Sequence, residues 1–192
     1  YNPDLIKSLI QNAELPTEAV AMIATYRHAT AGTQALAADH PNISTEALMT
    51  MLQDQKDKKI IRSPILNAIA NNRNSTPEML LSIVDLNLDD YEVLRNLLDN
   101  PNIPEEALVK LFNKWKNLPV ITSIVETPGV PVDLLKTLLE EKPDKALYLV
   151  GSPESEFLEH LFYANNSEDS QIPKEERRAI NMELATNRYL PQ

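Results

Sequence analysis

The chain has no cysteine, only three glycines and three histidines, and aromatic residues make up 5% of it. Each shortage excludes something. Without cysteine there is no disulfide, no thiolate metal site and no cysteine nucleophile. The glycines, Gly32, Gly129 and Gly151, stand apart from one another. They cannot form a glycine-rich loop that cradles a phosphate, and no Gly-x-Ser-x-Gly elbow is present. Hairpin turns also lean on glycine, which argues against a strand-and-turn protein. No apolar run approaches the ~20 residues that span a bilayer, and no signal peptide is visible. These readings place the chain in the cytoplasm, away from membranes.

Apolar residues reach 43%, enough to bury a core, and there are 14 prolines. Many prolines with few glycines suit helices that start and stop often. The formal charge is −10. A phosphate backbone repels such a chain unless its basic residues gather on one face. The densest basic stretches are Lys56, Lys58, Lys59 and Arg62, then Lys110, Lys114 and Lys116. Both are short, and Asp57 interrupts the first. They read as solvated faces and loops, so nucleic acid is not the expected partner.

A repeat organises the sequence. Its clearest copy runs from Leu97 through Asn100, Pro101, Asn102, Ile103, Pro104, Glu105, Glu106 and Ala107 to Leu108. With Ala107 as an anchor, apolar residues at the anchor and one, four and five places on (Ala107, Leu108, Leu111, Phe112) mark one face of a helix. The same quartet returns around Ala19, Ala47, Met79, Leu134 and Phe157, at intervals of 28, 32, 28, 27 and 23 residues. The residue before each anchor is acidic: Glu18, Glu46, Glu78, Glu106, Asp133 and Glu156. An acid there meets the unpaired N–H groups and the positive dipole end of a first helical turn. Pro16, Ser44, Thr76, Pro104 and Pro131 stand three places before their anchors and suit a helix start.

A second apolar set lies ten and nine places before each anchor, as in Ile69–Ala70, Leu97–Leu98 and Ile124–Val125. In four copies a further pair stands four residues earlier, again at helical spacing. That earlier pair fails at Thr33–Gln34 and Pro143–Asp144, where a shorter or irregular helix is expected. Turns such as Asn72-Arg73-Asn74 and Asn100-Pro101-Asn102 separate the two helices. Neither helix can hide its apolar stripe alone, so neighbouring pairs must stack. The expected fold is therefore all-α: an α-solenoid superhelix of about six helix-pair repeats, one domain over residues 1–192. The stretch from Leu184 to Gln192 matches the start of a seventh repeat whose anchor would fall beyond residue 192. The polar run Asn165–Gln171 is expected to be a loop.

The phrasing from Val93 to Leu108 resembles the leucine-rich repeat variant family of bacteria, which reads roughly V-R-x-x-V-A-x-N-P-x-T-P-x-E-x-L. The copies around Ile69–Leu80 and Ile124–Leu135 are similar. The resemblance implies a superhelix in which each α-helix pairs with a second helix that is often 3₁₀. Most repeats here are longer than the family's unit, which favours a true α-helix in that place. The cysteine cluster that holds an iron–sulfur centre in one member type has no counterpart, so no cofactor is implied. The family carries no common activity.

Candidates for chemistry are few. His40 occupies the place held by Asn12, Asn72, Asn100 and Asn187, and reads as a turn residue satisfying helix-end carbonyls. Glu156 and His160 are four apart on a helix and could pair, but two ligands do not make a zinc site, and no HExxH is present. His28 follows Tyr26 and Arg27 at a helix end. The carboxylate pairs Asp89–Asp90, Glu105–Glu106, Glu140–Glu141 and Glu175–Glu176 fall at helix ends, where solvation rather than acid–base work is expected. Phe112, Phe157 and Phe162 fall on core positions. Trp115, beside Lys114 and Lys116, either closes the core at a helix end, the favoured reading, or serves as an exposed anchor for a protein partner.

No catalytic residue, metal ligand or cofactor site is assigned, and the chain is not expected to be an enzyme. The expected function is a protein-interaction scaffold whose acidic surface suits a basic partner. The alternative is a helical-repeat arm of a larger enzyme or nucleic-acid-handling protein with its active part elsewhere.

Overall fold

In the computed structural model, which describes residues 3–58, 61–86, 89–114 and 118–190, each acid that precedes an anchor lies in the first turn of a helix. Along the chain run α1 (Pro3–Ile10), α2 (Thr17–Thr25), α3 (Ala31–Ala38), α4 (Thr45–Lys58), α5 (Ser63–Asn71), α6 (Pro77–Asp85) and α7 (Tyr91–Asp99). Then follow α8 (Glu105–Lys114), α9 (Leu118–Glu126), α10 (Val132–Glu141), α11 (Ala146–Leu149), α12 (Ser155–Asn166) and α13 (Lys174–Thr186). No strand occurs among the described residues.

The starts of the even-numbered helices follow local chemistry. Pro16 and Pro131 sit at N-cap positions, and their carbonyls accept the first intrahelical bonds, from Val20 at 3.0 Å and Leu135 at 3.2 Å. A proline there loses nothing, because the missing N–H would have had no helical partner. Where Ser or Thr stands instead, the hydroxyl caps. Ser44 Oγ accepts from the Ala47 N–H at 3.2 Å, and Thr76 Oγ1 from that of Met79 at 3.4 Å.

The chain forms two compact units, residues 1–107 and 108–192. In the first, α1, α3, α5 and α7 pack side by side, while α2 packs on α1, α3 and α4. The apolar faces of these helices meet between them. Leu48, Ile65, Leu66, Ile69 and Leu80 are completely buried there. Burial of each such side chain contributes about 1.5–3 kcal/mol. In the second unit α9 packs on α11, α11 on α13, and α12 on both α10 and α13. Val125, Leu149, Phe157, Leu158 and Leu161 form its interior.

Three expectations need correction. The helix over Thr33–Gln34 is regular: Thr30 caps α3 by accepting the Thr33 N–H at 3.1 Å, and the two hydroxyls are 2.9 Å apart. Local hydrogen bonding thus lets a buried threonine stand where other repeats use an aliphatic residue. The second weak place is irregular as expected, with a 3₁₀ turn over Pro143–Lys145 leading into the four-residue α11. The expected loop begins later than its composition suggested. Asn165 and Asn166 complete α12, and their amides bond to Asn181 of α13 at 2.9 and 3.1 Å. Finally, Phe162 is not in the core but 45% exposed, set edge-on against Tyr163. Helix α13 meets α12 along the Asn165–Asn166 side and leaves this ring at the surface.

Candidate functional site

The turns after the odd-numbered helices hold the repeats in register. The last four carbonyls of a helix have no partner within it. At four of the turns a side chain reaches back to carbonyls of the preceding repeat; at the turn after α9, Thr127 Oγ1 instead donates to the Ser123 carbonyl of its own helix. Asn72 Nδ2 donates to the carbonyls of Ala38 at 2.7 Å and His40 at 3.3 Å. Asn100 Nδ2 donates to Ala70 at 2.6 Å and Asn72 at 3.0 Å. His40 does the same with Nε2, 3.0 Å from the Asn12 carbonyl. In the second unit Asn187 Nδ2 donates to the Val150 carbonyl at 2.7 Å.

The opposite end of each of these side chains closes its own turn. The N–H two residues on donates to it, from Asn42 to His40 Nδ1 at 3.1 Å, Asn74 to Asn72 Oδ1 at 2.8 Å and Asn102 to Asn100 Oδ1 at 2.9 Å. Those second asparagines form an outer row. Asn42 Nδ2 reaches the carbonyls of Ala13 and Leu15, Asn74 those of Pro41 and Ile43, and Asn102 those of Arg73 and Ser75, at 2.8–3.2 Å. His40, Asn72 and Asn100 are buried, yet both ends of each side chain are satisfied. The role read for His40 from its place in the repeat is the one it performs. The paired outer row went unread, although Asn-x-Asn recurs seven and five places before the anchors at 79 and 107.

Register has a consequence on the outer face of the odd-numbered helices. The positions fifteen, twelve, eleven and eight before the anchors at 47, 79 and 107 lie off the main apolar stripe, although Ala68 is buried and Ala35 and Leu36 rest against the core, and they align across α3, α5 and α7. All four residues of each of the first two sets, with Asn96 of α7, line a groove of about 340 Å³. Gly32, Ala35, Pro64 and Ala68 give it a low floor, Leu36 adds one larger apolar side chain, and Asp39, Asn67, Asn71 and Asn96 are its polar lining. Asn71 Nδ2 donates to Asp39 Oδ1 at 2.9 Å, Asn96 Nδ2 to Asn67 Oδ1 at 2.6 Å, and Asn67 Nδ2 to Glu92 Oε2 at 3.3 Å. These bonds run from helix to helix and fix the carboxamides in place. At the edge, Asp90 caps α7 by accepting from the N–H groups of Glu92 at 3.0 Å and Val93 at 3.3 Å. The Ser63 hydroxyl, with those two backbone donors, holds the Asp90 carboxyl below the usual carboxylate range. Sequence reasoning assigned none of these groove residues, because it followed the apolar face of each helix and not the opposite one.

Other concavities lie in the first unit. Ile6, Met22, Ile23, Tyr26 and Ala29 line an apolar one of about 330 Å³. Glu46, Met49, Thr50, Gln53, Asp54 and Asp57 line an open one of about 610 Å³ along α4.

Trp115, the partner-binding candidate, lies outside the described residues, as do Lys59 and Lys116. Glu156 does not meet His160; its Oε1 takes Lys136 Nζ from α10 at 3.2 Å. Lys56 donates to Ser82 Oγ at 2.9 Å. Among the described residues no three His, Asp or Glu side chains are grouped to hold a metal ion, and no helix is long and apolar enough to cross a membrane. Comparison with protein-family models, curated proteins and solved structures finds nothing that matches this chain.

Proposed function

We propose that the chain is a protein-interaction scaffold, a solenoid of stacked helix pairs that binds a partner on the outer face of α3, α5 and α7. The observation that carries this reading is the groove across those helices. Its polar groups, set among small and apolar side chains, are preorganised by bonds between helices, and they occupy equivalent positions of successive repeats. Solenoids present such surfaces as extended binding faces. The formal charge of −10 favours a basic partner. The resemblance to the leucine-rich repeat variant family belongs to the same proposal, as does a cytoplasmic setting. The chain acts by binding rather than turnover.

The test is affinity capture with this chain as bait, at low and at high salt, beside a Gly32→Trp variant. A Cβ at Gly32 would meet only Thr30 Oγ1, at 4.0 Å, so the larger ring is directed into open space above the groove. The expected result is a protein recovered by the parent at both salts and lost by the variant. Recovery of salt-labile background alone, or turnover of a substrate by the purified chain, would overturn the reading.

A further inference from the structure

We infer that the groove across α3, α5 and α7 takes an extended peptide segment bearing Lys or Arg. This deepens the scaffold reading and rests on it.

The hydrogen-bonding groups point to a peptide backbone. A carboxamide has one acceptor oxygen and two N–H donors. In the groove Asn71 Nδ2 has one bond, to Asp39, and Asn96 Nδ2 has one, to Asn67. The Oδ1 atoms of Asn71 and Asn96 and one N–H of each amide make no hydrogen bond to the described residues. A donor and an acceptor on one rigid group match the C=O and N–H that an extended chain presents. A docked helix has already spent both within itself and would instead need a hydrophobic groove for its apolar anchors. The walls here set those amides and Asp39 among small side chains and Leu36, and the exposed large apolar residues of this unit, Leu5, Leu9, Met22, Tyr26, Met49, Ile61 and Tyr91, lie outside the lining.

The floor permits a close approach. Gly32 has no side chain, Ala35 and Ala68 have one carbon each, and the space above Gly32 is open. Neighbouring helix axes stand about 8–10 Å apart, so three helices span about 16–20 Å. At about 3.3 Å per residue that accommodates roughly five or six extended residues.

Charge selects the side chains. Asp39 lines the groove, Glu92 accepts from Asn67 of its lining, and Asp99 follows on α7. Arg95 is the only Lys or Arg on the three helices, and it already faces Asp99 at 3.7 Å. A segment with alternate basic residues would meet the carboxylates while its backbone meets the amides.

The experiment is fluorescence anisotropy at about 0.15 M salt, with a labelled peptide of about twelve residues alternating Ser and Lys. Three comparisons accompany it: the Ser/Glu counterpart, the Ser/Lys peptide methylated on alternate backbone nitrogens, and chain variants. The variants are Asn67→Ala with Asn71→Ala, Gly32→Trp, and Asp54→Asn with Asp57→Asn on α4 as an acidic control away from the groove. Circular dichroism checks that each variant stays folded. The Ser/Lys peptide should bind and the Ser/Glu peptide should not. Backbone methylation and either groove variant should weaken binding about tenfold or more, the loss of one or two hydrogen bonds or of access. The α4 pair should change it less than about twofold. Equal binding of the methylated peptide, or an equal loss in the α4 variant, would reduce the attraction to charge alone and overturn the inference. So would no binding by the parent chain. Capture of a folded partner by the parent and not by Gly32→Trp would then leave the scaffold reading standing without it.

Discussion

Asn100 Nδ2 lies 2.6 Å from the carbonyl oxygen of Ala70 and 3.0 Å from that of Asn72, so one buried amide joins two successive repeats. Asn100→Ala removes both donors and strands the Ala70 carbonyl, while that of Asn72 keeps the Ser75 N–H at 3.1 Å. An unsatisfied buried polar group costs about 1–3 kcal/mol, and a loss in that range is expected in urea melts. Asn100→Asp should cost more, since it turns a carboxylate oxygen toward two carbonyls. Asn102→Ala, in the outer row where water can replace the amide, should cost less than Asn100→Ala. Equal losses at 100 and 102 would refute the distinction between the rows.

His40 performs the asparagine's task with a ring. The Asn12 carbonyl can only accept, and the Asn42 backbone N–H can only donate. The partners therefore select the neutral tautomer with its proton on Nε2. His40→Asn restores the residue used at 72 and 100 and should leave stability within about 1 kcal/mol of the parent. His40→Ala should lose about 1–3 kcal/mol. Thermal or urea melts that rank the asparagine variant with the alanine variant would show that ring packing, not the two hydrogen bonds, is what matters at this position.

These two residues also show what could be read in advance. Periodicity placed the anchors, the acids before them and the turns, because burial and helix-end chemistry act within a few residues and leave a local pattern. His40 was legible because it breaks a repeated asparagine. Thr33 was misread because its burial depends on a bond to Thr30, which no apolar count registers. The groove was illegible for a different reason. Asn67 and Asn96 lie 29 residues apart, and only the stacking of α5 on α7 brings their amides to 2.6 Å. Nothing local marks either one.

The Asp90 cap gives stability a dependence on acid. Its carboxyl is lowered in the folded chain, chiefly by the Ser63 hydroxyl and then by the backbone donors of Val93 and Glu92. A depressed folded value means that the contribution is fully present above the unfolded carboxylate value of about 4, and is lost as pH falls through the folded one. Asp90→Ala should cost about 0.5–2 kcal/mol near neutrality, the usual worth of such a cap. The gap between parent and variant should narrow below about pH 4. Melts at several pH values read it directly, and a gap that is constant down to pH 2 would show that ionisation of Asp90 is irrelevant.

Phe112 and Phe162 occupy the same place in their repeats, five residues after Ala107 and Phe157, but not the same surroundings. Phe112 is 4% exposed and Phe162 is 45% exposed. If register alone set the energetics, truncating either ring would cost the same. Burial predicts otherwise. Phe112→Ala should lose about 3–5 kcal/mol, combining lost transfer energy with a cavity that its neighbours only partly fill. Phe162→Ala opens no enclosed cavity; it forfeits only part of the transfer term and the edge-on contact with Tyr163, whose centroid is 5.7 Å away. About 1–2 kcal/mol is expected for that change. Both variants can be melted in urea under one condition, and the difference between them is more secure than either value, since the unfolded chain is nearly the same for both. A Phe162→Ala cost as large as that of Phe112→Ala would place the ring in a buried environment and restore the register reading.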